Sequence, residues 1–403
     1  MTGKRTGRIL FVLIAVTAGT WATAWGSNDG GTWLKTFEGV DYGAFFDVTL
    51  AGDDALLAVG TTYHPLLTTT RRGDVLVAML TLDGDPIWEK TYGGDATEQA
   101  FRVEATEDGG FLVLAETDSF GAGERDLYVL RLDESGELIW EKTYGGSGTE
   151  WAKDLIRTSD GGFLLVGETD SFGESFDAYV VKVDESGAVL WEATLGGDDN
   201  ETGIAALEAE NGDLIVLAGV SYAGGYEGTR RDSRLFRLDS DGSEIWSTLY
   251  HADVKQWGND MVFSPDGDVV IVGISEPVGG SEEPLDSWIA KASAGTGELE
   301  WSAHEGSQYQ DDYGLSVVAT PGGEYLVAGF GPALPVMRFD DTGNVHWVRD
   351  AVAWQSWTVF GGFSILGLSD GTFIVSGWIY VRRTGDDFDA ILARIDAEGR
   401  IEE

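Results

Sequence analysis

Asp108-Gly-Gly-Phe-Leu-Val-Leu-Ala-Glu-Thr-Asp-Ser-Phe-Gly121 returns almost unchanged as Asp160-Gly-Gly-Phe-Leu-Leu-Val-Gly-Glu-Thr-Asp-Ser-Phe-Gly173. Near-copies about fifty residues apart mean that one small structural unit is repeated side by side. Around the first copy, residues 100–105, 111–116, 127–132 and 137–143 read as four short strands separated by Gly and Asp turns. Residues 111–115 are continuously apolar, the mark of a strand covered on both faces, whereas Val129, Leu130 and Leu132 around Arg131 show partial alternation. A four-stranded unit of this kind is a propeller blade.

Each unit continues to a tryptophan. The series is Trp33, Trp88, Trp140, Trp191, Trp246, Trp301 and Trp347, with spacings of 55, 52, 51, 55, 55 and 46 residues. The last unit supplies three strands, around 363–366, 372–378 and 390–395, and the sequence stops where a fourth would begin. The segment around Trp33 is a fourth strand without a unit. Pairing it with the C-terminal three leaves no open edge between the chain ends. The expected fold is therefore all-β: a seven-bladed β-propeller of four-stranded blades, closed by pairing of the N-terminal strand with the C-terminal blade.

The first 24 residues read as a secretory signal peptide, with Lys4, Arg5 and Arg8, an apolar run over 9–16, and Ala22-Thr23-Ala24 before the cut. The propeller domain is then 25–403, secreted to the periplasm, cell surface or medium, with no membrane span after cleavage and a monomeric state expected. The 69 acidic and 26 basic side chains give a net charge of -43, which repels phosphate backbones and excludes nucleic acid as a partner class. The absence of cysteine removes disulfides, thiolate metal sites and cysteine nucleophiles.

The turn before each tryptophan also repeats: Asp133-Glu-Ser-Gly136-Glu-Leu-Ile-Trp140, Asp184-Glu-Ser-Gly187-Ala-Val-Leu-Trp191, Asp239-Ser-Asp-Gly242-Ser-Glu-Ile-Trp246 and Asp340-Asp-Thr-Gly343-Asn-Val-His-Trp347. This pattern resembles the tryptophan-docking motif of quinoprotein-like propellers, and the whole repeat is similar to secreted bacterial propeller repeats. The resemblance implies structural docking for the seven tryptophans. Its catalytic branch implies a quinone-dependent dehydrogenase, but those enzymes typically have eight blades and often a vicinal disulfide, which this cysteine-free chain lacks. Its non-catalytic members are envelope interaction scaffolds, so the expected function is a binding scaffold for a protein or polysaccharide ligand. The alternative is a carbohydrate-active enzyme, a glycoside hydrolase or lyase using loop-face carboxylates.

Three sets of residues are candidates. Asp41, Glu98, Glu150, Glu201 and Asp311 recur where each blade's first strand begins, with Gln256 and Phe360 in the remaining blades. Either they form a negative funnel that takes a divalent cation such as calcium, or each accepts backbone N–H bonds in its own turn. A second recurrent acid precedes the third strand, at Asp74, Asp126, Asp177, Asp232, Asp286 and Asp389, and reads as a turn residue. The third set departs from the repeat. Arginine pairs Arg71-Arg72, Arg230-Arg231 and Arg382-Arg383 occupy equivalent loops, and Tyr63, Trp354, Trp357, Trp378 and Tyr380 lie near the first and last of them in blade order. Guanidinium forks and flat rings together suit an anionic ligand. Among the four histidines, His251 with Asp253 and His304 with Glu305 could form metal pairs, and no nucleophile elbow, phosphate loop or zinc motif is present.

Overall fold

The computed structural model describes residues 14–15, 21–25, 31–38, 43–62, 73–173, 175–222, 231–251, 255–276, 285–306, 313–331, 333–352, 358–381 and 387–401. Among them the chain is all-β, without a helix. Five antiparallel sheets have four strands each, taken in sequence order. The first uses Ala44–Ala51, Ala55–Thr61, Val75–Thr81 and Pro86–Tyr92. The next four open with Glu98–Ala105, Glu150–Arg157, Asn200–Glu208 and Lys255–Phe263.

The remaining ten strands form one paired assembly. Tyr313–Ala319, Glu324–Gly331, Pro335–Asp340 and Val345–Asp350 make a sixth four-stranded set. Thr358–Gly367, Phe373–Val381 and Asp387–Ile395 come next, and Trp33–Glu38 pairs antiparallel with the last of them, Leu34 opposite Ala393. A two-residue contact, Phe330 opposite Gly361 and Gly331 opposite Phe360, links the two sets. Trp21–Trp25 and Ile14–Ala15 add backbone pairs beyond Trp33–Glu38, and all of these residues but Trp25 fall in the stretch read as a leader.

Burial explains the strand patterns. Phe111–Thr117 and Asp126–Leu132 are buried at every residue, whereas the fourth strand Pro86–Tyr92 alternates between half-buried and exposed. The middle strands are therefore covered by sheets on both sides, and the fourth strand meets solvent. Seven hydrophobic clusters each join two consecutive sets: Val77 and Met79 of the first sheet pack with Val113 and Tyr128 of the second, and Trp33, Phe37 and Ile374 pack with Phe45 and Leu56 of the first. The first strands also pack in sequence, and Thr358–Gly367 returns against Ala44–Ala51.

All seven first strands carry a β-bulge at one position, with Phe46, Phe101, Lys153, Ile204, Asn259, Leu315 and Phe363 as the extra residues. A bulge bends its strand and increases its twist. The Phe46 ring stacks on Phe363 at 4.8 Å and tilts against Phe101 at 5.4 Å, while the Lys153 ammonium lies 6.0 Å from the Phe101 ring. Side chains from four sets thus meet at one level.

Candidate functional site

The seven tryptophans lie against the next set's turn. Gly84, Gly136, Gly187, Gly242, Gly297, Gly343 and Gly399 all have φ between 72° and 82°. A Cβ added at each would fall within 3.0 Å of the rings of Trp33, Trp88, Trp140, Trp191, Trp246, Trp301 and Trp347 respectively. The turn itself is tied by its aspartate: Asp133 Oδ1 accepts the N–H groups of Ser135 and Glu137 at 2.9 and 2.8 Å. Asp239 does the same for Asp241 and Ser243, so this turn is tied by its own carboxylate.

Of the acids that begin the first strands, Glu98, Glu150 and Glu201 are described, and all are buried. Glu98 accepts from the Gly94 N–H at 2.9 Å and the Thr117 hydroxyl at 2.8 Å. Glu150 accepts from Gly146 N–H, Thr169 and Ser171 at 3.2, 2.6 and 2.5 Å. Glu201 accepts from Gly197 N–H at 3.4 Å and pairs with Arg234 at 3.1 Å. These three take the turn-capping arrangement rather than lining an open funnel. Asp41 and Asp311 lie outside the described residues; counted back from the bulge, the position of Glu98 falls on Gly43 in the first sheet, two residues past Asp41.

The two recurrent acid series meet. A Cβ on Gly93 would lie 2.5 Å from Glu98 Oε2 and 2.7 Å from Asp74 Oδ1. Gly145 is flanked in the same way by Glu150 and Asp126, and Gly196 by Glu201 and Asp177. Burial, then the neighbouring Glu98 charge, raises the Asp74 pKa; burial raises that of Glu201 despite Arg234. Among the described residues, no three His, Asp or Glu side chains are grouped as a metal would require.

The anionic-ligand set is mostly outside the described residues, which is where Tyr63, Arg71, Arg72, Arg230, Trp354, Trp357, Arg382 and Arg383 fall. Trp378 is described and only 7% exposed, packed with Ala44 and 5.9 Å from the Phe330 ring, so it serves the interior rather than a ligand face. Tyr380 packs partly buried against the same cluster. Arg231 is exposed, with its guanidinium 4.1 Å from the Trp257 ring.

A polar group that the sequence reading assembled differently lies at the junction of the fourth and fifth sheets. His251 Nδ1 is 2.6 Å from Oδ2 of the fully buried Asp232, which also accepts the Tyr222 hydroxyl at 2.8 Å. His304 Nε2 is 3.2 Å from Gln256 Nε2. The expected partner of His251, Asp253, lies outside the described residues. Aligning Tyr92-Gly93, Tyr144-Gly145 and Tyr250-His251 exposes the signal that would have found the site: a histidine where the repeat has glycine. A carboxylate holding one imidazole nitrogen orients the other, an arrangement suited to hydrogen bonding or proton transfer.

No curated protein matches the chain. Among solved structures, an ulvan lyase of polysaccharide lyase family PL25 is similar with a TM-score of 0.54 and 10% identity, over 88% of this chain and 93% of that one. The Synechocystis apocarotenoid oxygenase is similar with a TM-score of 0.52 and 13% identity, over 89% and 90%. At such identities the likeness concerns the β-propeller-like fold alone. A family model described as outer membrane protein assembly factor BamB matches residues 12–233, more than half of the sequence, and the chain belongs to that family of β-propeller repeat proteins.

Proposed function

We propose that the chain is a cell-envelope scaffold: a secreted, monomeric, seven-bladed propeller, closed by its N-terminal strand, that binds a partner through its loop face without turning it over. The blade count is supported by seven inter-sheet clusters and seven tryptophan–glycine contacts. The family's description, an assembly factor at the outer membrane, supports the envelope setting and a binding role. So does the leader read over residues 1–24. The observation that carries the non-catalytic reading is the state of Glu98, Glu150 and Glu201, at most 1% exposed and already bonded within their own turns. A carboxylate so engaged is poorly placed to protonate or attack a glycoside.

The mature chain, screened against glycan and peptide arrays and a polysaccharide panel, should bind without releasing reducing ends or unsaturated products. Turnover of any polysaccharide would replace this reading with the carbohydrate-active enzyme, for which the Asp232–His251 pair is the favourable observation.

A further inference from the structure

The loop Asp118-Ser-Phe-Gly121 and its copy Asp170-Ser-Phe-Gly173 occur in the second and third sheets and in no other unit. Each joins the second strand of its sheet to the third, and the two are built alike. Thr117 and Thr169 donate to the buried Glu98 and Glu150 at 2.8 and 2.6 Å, and accept the N–H groups of Ser119 and Ser171 at 2.9 and 3.0 Å. The Ser119 and Ser171 hydroxyls in turn accept the N–H groups of Ala96 and Gly148, in the loops that enter the same sheets, at 2.7 and 2.8 Å. Both loops are therefore fixed by a buried carboxylate beneath them.

What this frame holds up is a large apolar ring in solvent. Phe120 is 40% and Phe172 51% exposed. Each ring tilts against a buried tyrosine, Tyr128 or Tyr179, at 5.5 Å. The two rings belong to one surface. The Glu124 N–H donates to the Gly148 carbonyl at 2.8 Å, and a Cβ on Gly123 would lie 3.1 Å from the Gly146 oxygen. A Cβ on Gly146 would in turn lie 3.3 Å from the Phe172 ring, so the loop that carries Phe120 abuts the residue on which Phe172 rests. Single exposed rings are ordinary, whereas two on matching, adjoining, rigid loops form a patch.

The rim of this patch is acidic, with Asp95, Asp118, Glu124 and Asp170 exposed. Arg125 bridges the two loops through its backbone contact with Thr149. Its guanidinium lies on the Trp151 ring at 4.3 Å and is paired by Glu116 and Asp118 at 3.2 and 2.7 Å, so its charge is answered within the protein. Among the described residues, Asp95, Glu124 and Asp170 hold no cation.

We propose that the loop face of the second and third sheets docks a basic polypeptide segment, with Phe120 and Phe172 as apolar anchors and the rim carboxylates as partners for its Lys or Arg side chains. The proposal deepens the scaffold reading and rests on it. Charge complementarity selects a cationic partner, and the exposed rings require large apolar groups among its cations, which a polypeptide carries. Loops already fixed before contact lose little freedom on binding.

The test is titration of the mature chain at about 0.15 M salt, which screens distant charges. The probes are the peptide Lys-Leu-Lys-Lys-Leu-Lys-Lys-Leu-Lys, nonalysine, and hexaglucosamine as a cationic saccharide. The leucine peptide should bind more tightly than nonalysine. Phe120→Ala with Phe172→Ala should weaken the leucine peptide about tenfold or more and leave nonalysine unaffected. Ile139→Ala with Leu190→Ala, which removes side chains 55% exposed on the fourth strands, should leave both unaffected. A leucine peptide that fails to bind at millimolar concentration, or that binds wild type and the phenylalanine double variant equally, overturns the docking surface; if the double variant does not fold, the two single variants are judged by the same comparison. Hexaglucosamine that binds more tightly than the leucine peptide and is lost in the same variant overturns the polypeptide occupant. Should the peptide fail while the arrays still yield a binder without turnover, the docking surface falls and the scaffold reading stands; turnover on the panel overturns the scaffold reading itself.

Discussion

Gly136 lies at φ 75°, and a Cβ there would meet the Trp88 ring at 2.6 Å. Gly109 has a similar φ of 84° with nothing within 4 Å. Gly109→Ala should therefore cost only the left-handed backbone penalty of about 1–2 kcal/mol. Gly136→Ala should cost about 2–4 kcal/mol, since displacement of a packed ring is added. Urea unfolding of the two variants separates the ring contact from the backbone strain. Both members of this contact are visible in the sequence as Asp-x-x-Gly-x-x-x-Trp, but the pairing is not, because each tryptophan meets the glycine of the following repeat. Glu104 gives the residue-level pH dependence. Burial, with the charges of Asp47 and Asp154, pushes its pKa up to about 8 against Arg157. Its native pKa exceeds the unfolded value of 4.5, so unfolding releases a proton and stability declines as pH rises from about 4.5 to about 8. Glu104→Gln should remove that part of the decline, measured as the difference from wild type in unfolding free energy at pH 5 and pH 8.5.

The bulged first strands are not legible as such, because the bulge residue is phenylalanine in three strands and Lys, Ile, Asn or Leu in the other four. In three of them the residue just past the bulge is an aspartate that ties its strand to the next set. Asp47, Asp154 and Asp260 reach the N–H groups of Val103, Ala206 and Val317 at 2.9, 2.8 and 2.9 Å. Arg102 donates to Asp154 at 3.0 Å. Burial outweighs Arg102 and raises the Asp260 pKa to about 6. These bonds join neighbouring first strands where no ladder does. Asp154→Ala strips Arg102 of its carboxylate and Ala206 of its acceptor, and should destabilise by about 3 kcal/mol. Asp154→Asn, which keeps an oxygen acceptor, should lose less; thermal and urea unfolding compare the two. The first-strand acids were harder to place for a related reason. Their recurrence was plain, but a slip of two residues separates Asp41 from Gly43, the true counterpart of Glu98. The Asp232–His251 contact spans 19 residues, and its mark in the aligned repeats is a histidine in place of a glycine.

Across the whole molecule, the repeat period, the four-strand unit and the orphan strand at Trp33 could all be read from the sequence because each is local and recurs. The arginine and aromatic departures could be named but not assembled, since loop geometry does not repeat. The central claim is that the two chain ends complete one blade. In the structure Leu34 stands opposite Ala393 across the antiparallel pair formed by Trp33–Glu38 and Asp387–Ile395. Opposed residues in such a pair have Cα atoms about 4.5–5.5 Å apart, within the range a disulfide spans. Because the chain has no cysteine, Leu34→Cys with Ala393→Cys introduces a single pair. Under mild oxidation the account predicts an intramolecular bond in a monomer, seen as faster migration in non-reducing denaturing electrophoresis and absent from either single variant. A folded double variant that retains both free thiols, or that forms only intermolecular links, would contradict closure of the ring by its two ends.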